Sequence, residues 1–201
     1  MTRLQLSFFE RNTLQVAHDL LGQRLVRVVD GHRLSGLIVE TEAYIGESDL
    51  ACHASRGRTP RTEVMFGPPG RAYIYFIYGM YYCLNVVTEP ESFPAAVLIR
   101  ALEPEEGREW MRERRSGRPD RELLSGPGKL CAALDIDKRL NHVDLTQDDR
   151  LFLEVGPPVD AARVTASPRI GINIPGEASE QPWRFYLADS PFVSRQPARR
   201  R

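Results

Sequence analysis

The chain is long enough to fold as one compact domain with its own apolar core. It has 201 residues, of which 42% are hydrophobic and 27% are charged, a balance typical of a globular protein rather than a disordered one. Its 27 basic and 27 acidic residues cancel to a formal net charge of zero, unlike the strongly basic composition of many nucleic-acid-binding proteins. Binding to nucleic acid would therefore have to come from a local patch. Two such patches stand out: Arg56, Arg58 and Arg61, and the tail Arg199–Arg201.

Cellular location and cofactors are constrained by what the sequence lacks. The apolar segments are strand-length and interrupted by charges, so no membrane span is expected, and the first twelve residues lack the apolar core of a secretory signal. Cys52, Cys83 and Cys131 form an odd set without a C-x-x-C pair, which favours reduced thiols over disulfides or a zinc site. We expect a cytoplasmic, bacterial-type protein with no metal and no other cofactor.

The first predicted element is a helix that Asn12 caps and Gly22 ends, because apolar residues between them recur at helical spacing. Two strands follow, over residues 23–29 and 33–45, joined by the turn residues Asp30 and Gly31. Side chains alternate between the two faces of a strand. The second strand is therefore expected to present one shared face formed by Ile38, Glu40, Glu42 and Tyr44.

Residues 46–70 are rich in Gly, Pro, Ser and Arg and are predicted to form a long loop. Residues 71–87 predict a β-hairpin with Tyr78 and Gly79 near its tip. A strand over 95–102 should place Ala96, Leu98 and Arg100 on one face, and helices are predicted over 103–115 and 126–134. We therefore expect a mixed α/β (α+β) fold. It would be a single domain over 1–201, ordered over about 5–195, with a curved, mostly antiparallel sheet, surrounding helices, a protruding hairpin and a short basic tail.

Glu40 and Glu42 are the first candidates for chemistry. A carboxylate in an otherwise apolar strand must be hydrogen-bonded or lose its charge, and such a group can act as a general base. An edge strand with its polar face in water would explain the same pattern without any chemistry.

Five tyrosines occur within ten residues, at positions 73, 75, 78, 81 and 82. Each buried hydroxyl needs a partner, so a core gains little from so many. A platform for stacking bases does use aromatic faces, and an aromatic side chain at a hairpin tip can wedge into a base stack. A tyrosine-rich β-core accounts for the cluster equally well.

Six segments, in order from about Ser7 to Ser194, closely resemble the alkyladenine (3-methyladenine) DNA glycosylase family. They read DLLGQRLVR, GLIVETEAYIGESDLACH, RTPRTEVMF, YIYFIYGMYYCLN, VLIRALEP and SGPGKLC. The pair ETEAYIG and YGMYYCLN is highly specific. The resemblance implies a base-excision enzyme that flips a damaged purine out of duplex DNA and cleaves its N-glycosidic bond.

The resemblance also implies a role for individual positions. Glu42 matches the general base that activates water, and Arg100 matches a residue beside that water. The positions that match the base pocket are Tyr44, His53, Tyr75, Asn85, Cys83 and Leu98, with Asn85 matching a filter against the exocyclic amine of guanine. Tyr78 matches the side chain that fills the space of the flipped nucleotide, with Met80 and Met65 as its flanks. The positions that match phosphate contacts are Thr59, Arg61 and Lys129.

The scarcity of lysine bears on the mechanism. A glycosylase that also cleaves the strand attacks with an amine, and Lys129 and Lys138 are the only lysines here. We therefore expect hydrolysis by water, an intact abasic site, and double-stranded DNA with damaged purines as the partner of a monomeric enzyme. Two alternatives stay open: a non-catalytic DNA-damage-binding protein with the same pocket, and a hydrolase or transferase acting on free nucleosides or other small molecules.

Overall fold

The structure is a computed structural model that describes residues 2–174 and 176–194, so the predicted tail Arg199–Arg201 lies outside it. Its strands are β1 Arg24–Val29, β2 His32–Ile45, β3 Ala72–Ile77, β4 Tyr81–Val87, β5 Ala95–Pro104, β6 Leu151–Glu154, β7 Val164–Ser167 and β8 Arg184–Leu187. Its α-helices are α1 Leu6–Phe9, α2 Thr13–Asp19, α3 Arg108–Arg114, α4 Asp120–Leu123, α5 Pro127–Ala133 and α6 Glu177–Glu180. None of these helices has the length and apolar character needed to cross a membrane.

The strands form one antiparallel sheet in the order β3-β4-β5-β2-β1-β6, and β8 joins it by pairing with both β2 and β7. At 14 residues, β2 pairs with β1, β5 and β8 and connects the two halves of the sheet. The mixed α/β class and the antiparallel sheet predicted from the sequence are confirmed. So is the hairpin, whose strands β3 and β4 meet at a turn in which Tyr78 and Gly79 both have positive φ.

The main core lies between the sheet and the helices packed on it. Its buried side chains include Val16, Ala17 and Leu20 from the first half of the chain and Leu130 and Cys131 from α5. The predicted first helix is confirmed as α2, because the Asn12 side chain accepts a hydrogen bond from the Leu14 amide at its start. The predicted helix over 126–134 is confirmed as α5.

One predicted helix is wrong in its first third. Residues 103–115 were expected to be helical, but Glu103 and Pro104 extend β5 and pair with Leu37 and Gly36 of β2. The chain leaves the sheet only at Gly107, which has a φ of 72° and precedes the first residue of α3. Pairing with a neighbouring strand outweighs the helical preference of the glutamates.

Two register shifts interrupt the β2–β5 pairing, one between Ile38 and Glu40 and one between Glu40 and Thr41. Val39 is left as an extra residue on β2 and Arg100 as an extra residue on β5. Such bulges re-aim the side chains that follow. Ile38 packs in the core before the shifts, but Ala43 packs there after them. The prediction that Ile38 shares a strand face with Glu40 and Glu42 is therefore wrong. Ile38 faces the core, and the register shifts turn the two glutamates away from it.

Two glycines near the ends of α3 allow a test of this fold. Gly107 and Gly117 both have positive φ, but a Cβ on Gly107 would lie 2.9 Å from Leu34 Cγ and 3.0 Å from the Arg33 carbonyl oxygen, whereas a Cβ on Gly117 would meet nothing within 4 Å. We expect Gly117→Ala to lower the free energy of unfolding by about 1–2 kcal/mol, from backbone strain alone. Gly107→Ala should cost clearly more, because strain and crowding combine. Urea unfolding measures both variants, and equal losses would contradict the packing of α3 against β2.

Candidate active site

A cavity of about 350 Å³ opens beside the β3–β4 hairpin. Its volume lies within the usual range of small-molecule pockets. The walls come from β2, β3, β4, β5, the loop around His53, the start of α5 and the segment after β7. The residues that line it are Tyr44, Ala51, His53, Met65, Tyr73, Tyr75, Ile77, Tyr78, Tyr81, Cys83, Asn85, Ala96, Leu98, Arg100, Pro127, Gly128, Ile170, Gly171 and Ile172.

Glu42 lies directly behind the wall of this cavity and is fully buried. Its Oε2 accepts hydrogen bonds from the Tyr44 hydroxyl at 2.8 Å and from Arg100 Nη1 at 3.1 Å. Its Oε1 accepts one from the Ile170 amide at 2.7 Å. All three donors belong to residues that line the cavity. The carboxylate is thus held by its partners at the edge of the cavity, and this arrangement suits its ionised form because every partner donates.

Glu40 also touches Arg100 but points away from the cavity. Arg100 Nε donates to Glu40 Oε1 at 3.1 Å, and Arg184 Nε of β8 donates to the same oxygen at 2.7 Å. The amide of Ser194 donates to Glu40 Oε2 at 2.7 Å. Two carboxylates and two guanidinium groups therefore form one buried network. The alternative explanation, an edge strand with its polar face in water, is excluded, since Glu40 and Glu42 are both wholly inaccessible to solvent.

Aromatic rings form much of the cavity wall. The His53 and Tyr75 rings are 4.5 Å apart, edge to face, and His53 Nδ1 lies 2.8 Å from the Tyr73 hydroxyl oxygen. Burial, with Arg61 and Arg56 nearby, lowers the pKa of His53 from 6.5 to about 4. Burial also raises the pKa of Tyr75 and, together with the Glu42 carboxylate, that of Tyr44. These side chains therefore carry no charge near neutral pH and present the cavity with π-faces.

The remaining predicted pocket residues lie in the same wall. Cys83, Asn85 and Leu98 all line the cavity and are buried. The Asn85 side-chain amide donates to the Tyr73 carbonyl oxygen at 3.0 Å across the β3–β4 pair, which fixes the orientation of the group. Burial raises the pKa of the Cys83 thiol, so this cysteine has the character of a packed thiol rather than a nucleophile.

The hairpin tip is the most exposed apolar feature near the cavity. Tyr78 is 78% exposed and Met80 is 63% exposed. Tyr75 and Tyr78 both border the cavity, although regular strand alternation would place them on opposite faces. Alternation does not apply at Tyr78, because it lies in the turn with a φ of 55°, a conformation that a bulky residue adopts only under structural constraint. Met65 is buried in the cavity wall, whereas Met80 lies at the surface beside Tyr78.

Of the three positions predicted to contact phosphate, Arg61 and Lys129 lie next to residues of the cavity wall. The Thr59 hydroxyl lies 3.0 Å from the Thr62 hydroxyl and is half-buried. Arg61 is exposed, with its guanidinium carbon 5.3 Å from the centre of the Tyr75 ring. Lys129 Nζ lies 3.4 Å from Ser125 Oγ at the start of α5, beside the lining residues Pro127 and Gly128.

Sequence reasoning missed several parts of this site. The Ile170 amide reaches Glu42 from 128 residues further along the chain, and a backbone donor leaves no side-chain signal. Arg169 forms a buried two-pronged ion pair with Asp49, at 2.6 and 2.9 Å, and its guanidinium carbon lies 4.7 Å from the Tyr44 ring centre. This pair ties the loop before His53 to the segment that contains Ile170. Within residues 2–174 and 176–194, no three or more His, Cys, Asp or Glu side chains are placed to hold a metal ion.

Known proteins resemble this chain over nearly its whole length. The family model described as methylpurine-DNA glycosylase (MPG) matches residues 7–191. A protein of Methanocella arvoryzae is 53% identical over 197 residues, covering 98% of each chain. Proteins of Carboxydothermus hydrogenoformans and Bacillus cereus are 51% and 50% identical, covering 94% of this chain and 97% and 98% of theirs. All three relatives carry the name "Putative 3-methyladenine DNA glycosylase".

The site thus combines an aromatic cavity, a buried carboxylate behind its wall and an exposed tyrosine at its mouth. The chain belongs to the methylpurine-DNA glycosylase family. DNA glycosylases are DNA-repair hydrolases that act on N-glycosidic bonds, so the resemblance identified in the sequence is confirmed at the level of the family.

Proposed function

We propose that this protein is a monofunctional glycosylase of base excision repair. It flips an alkylated or deaminated purine out of duplex DNA, of the class that includes 3-methyladenine, 7-methylguanine, ethenoadenine and hypoxanthine. It then hydrolyses the N-glycosidic bond and leaves an abasic site. The observation that carries the proposal is the Glu42 carboxylate, fully buried and held by three donors that all line one aromatic cavity.

The proposed chemistry uses one water molecule. A carboxylate offers about four acceptor positions, and the protein fills three of those on Glu42, one of them on Oε1. The open position on Oε1 would accept a proton from water as the water oxygen attacks C1′ of the deoxyribose. The bond from C1′ to the purine nitrogen then breaks, and its electron pair leaves with the base. Arg100, which donates to Glu42 and lines the cavity, would fix the carboxylate and stabilise the charge on the approaching water.

The charge of the damaged base decides whether it must be protonated before it can leave. A purine alkylated at N3 or N7 is cationic in DNA and departs as a neutral molecule, whereas hypoxanthine and ethenoadenine need a proton to leave as one. Uncharged π-faces from Tyr44 and Tyr75 favour an electron-poor, cationic purine through a cation–π attraction. We propose that these rings and His53 enclose the base, and that Asn85, Cys83 and Leu98 shape the wall against which it lies.

Flipping requires a group that replaces the base in the stack. Tyr78 suits this role because it is exposed, apolar and held at the tip of a hairpin that borders the cavity, with Met80 exposed beside it. Extruding a nucleotide costs a few kcal/mol, least for a damaged or mispaired base. We propose that Thr59, Arg61 and Lys129 contact the phosphates and hold the duplex over the cavity.

Two features favour hydrolysis by water over strand cleavage by an amine. Neither lysine of the chain lines the cavity, and Lys129 already contacts Ser125 at the start of α5. The non-catalytic alternative would have no use for a buried carboxylate held at the cavity. An enzyme acting on free nucleosides would have no use for an exposed tyrosine at a hairpin tip.

The first test is base release. The purified protein should release the free base from duplexes that each carry one alkylated purine or hypoxanthine, under single-turnover conditions. The product strand should break only after alkali, because no amine adduct forms, and borohydride should trap no covalent complex. An undamaged duplex and the corresponding free nucleosides are the controls. Release from nucleosides but not from DNA would contradict the proposal, as would binding without release.

The second test concerns the wedge. We expect Tyr78→Ala to slow excision from duplex DNA by about 10-fold or more, because a stacked aromatic side chain contributes roughly 1–3 kcal/mol per base. Tyr78→Phe keeps the ring and should retain most of the rate. With the same lesion in single-stranded DNA the loss should largely disappear, since no base stack has to be opened. Equal losses on both substrates would assign Tyr78 to the pocket instead.

A further inference from the structure

Arg100 is a single cation shared between two buried carboxylates. Its Nε donates to Glu40 Oε1 and its Nη1 donates to Glu42 Oε2, both at 3.1 Å. The Arg100 side chain is 9% exposed and both glutamate side chains are fully buried. Charged groups interact strongly when they are this close together and this poorly solvated. The charge of Glu40 therefore acts on Glu42 through the guanidinium that both contact.

Glu40 has a second cation of its own. Arg184 Nε lies 2.7 Å from Glu40 Oε1, and Arg184 Nη1 donates to Ser167 Oγ at 2.9 Å. The Arg184 side chain is 3% exposed, so this pair is as buried as the first. The four groups together are electrically neutral, with two positive and two negative charges. Neither Glu40 nor Arg184 lines the cavity, so neither is expected to touch a bound base.

The other groups that face Glu42 leave this balance unchanged near neutral pH. Tyr44, Tyr75 and Cys83 come from β2, β3 and β4, and burial raises the pKa of all three, so they stay neutral. Arg169, in the segment after β7, also acts on Glu42, but Asp49 neutralises it in a buried ion pair. Arg184 pairs with Glu42 through the backbone of β8, but neither its side chain nor that of Glu40 is a hydrogen-bond partner of the Glu42 carboxylate. The charge near Glu42 can therefore be changed without removing a donor to it.

We propose that Glu40 is a positioning residue that sets, through Arg100, the pH at which Glu42 becomes ionised, with Arg184 as the opposing charge. The effect of Glu40 on the ionisation of Glu42 follows from the network of Glu40, Glu42, Arg100 and Arg184 alone. Its effect on the excision rate rests on the proposed role of Glu42 as the base. Glu40 draws the Arg100 guanidinium away from an exclusive pair with Glu42. Glu42 thereby remains a better proton acceptor than it would be as the only partner of Arg100.

The proposal predicts shifts of opposite sign for two substitutions. Glu40→Gln keeps the size of the side chain but leaves an excess positive charge, which favours ionised Glu42, so Glu42 should titrate at a lower pH. Arg184→Gln leaves an excess negative charge, so Glu42 should titrate at a higher pH. Charges this close shift a buried carboxyl by about 1 pH unit or more. The double variant Glu40→Gln/Arg184→Gln restores neutrality and should return the midpoint close to that of the natural protein.

The measurement is a ¹³C NMR titration of protein labelled at the glutamate carboxyl carbons, with the Glu42 signal assigned by its loss in Glu42→Gln. Arg184→Lys, which keeps the charge, serves as the matched control and should leave the midpoint nearly unchanged. Thermal unfolding identifies any variant that does not fold. If Arg184→Gln does not fold, the comparison of Glu40→Gln with the double variant still tests the sign. Shifts of the same sign in both single variants, or no shift in Glu40→Gln, would overturn the proposal.

The pH dependence of excision separates this proposal from the proposed function. If Glu42 is the base, the ascending acid limb of the single-turnover rate should move with the NMR midpoint in each variant, because that limb reports deprotonation of the base. Opposite NMR shifts with an unmoved acid limb would uphold the charge network and refute Glu42 as the base. A purely structural role for Glu40 would lower the rate at every pH without moving either midpoint.

Discussion

The site depends on one guanidinium group that satisfies two buried carboxylates. Placing Glu40 and Glu42 side by side in a dry interior is costly unless each is paired and hydrogen-bonded. Arg100 contacts both, and Arg184 and the Ser194 amide complete the partners of Glu40. The network therefore holds together β2, β5, β8 and the segment that contains Ser194. It also holds Glu42 directly behind the cavity wall, where each of its three hydrogen-bond partners is a donor.

The paired bulges at Val39 and Arg100 make this network possible. A regular β2 strand would have put Glu40 and Glu42 on the same side as Ile38, which packs in the apolar core. The register shifts instead direct the core-facing side to Thr41 and Ala43, and the Thr41 hydroxyl donates to the Ala17 carbonyl oxygen of α2 at 2.8 Å. The extra residue on β5 is Arg100 itself. The paired bulges thus determine which way the two carboxylates point and also place the Arg100 guanidinium between them.

Local patterns were enough to predict most of the fold. Turn residues and alternating apolar positions predicted the β1–β2 and β3–β4 hairpins, and capping signals predicted α2. The bulges were not predictable, because Val39 fits a regular strand as well as a bulged one. The start of α3 was placed too early, since pairing of Glu103 with Leu37 depends on a partner distant in sequence.

Family resemblance brought together Glu42, Tyr44, His53 and Arg100, which the structure does place around one cavity. It could not reveal the Ile170 amide or the Asp49–Arg169 pair, because these contacts join distant parts of the chain.

The most direct test of the central claim is to separate binding from excision at Glu42. Glu42→Gln keeps the shape of the side chain but removes its ability to accept a proton, so lesion-containing duplex should bind with an affinity close to that of the natural protein. Single-turnover excision should fall by about 10²-fold or more, the usual contribution of a general base. Glu91→Gln, at an exposed position away from the cavity, is the matched control and should excise normally. Excision by Glu42→Gln near the natural rate, with binding intact, would contradict the account.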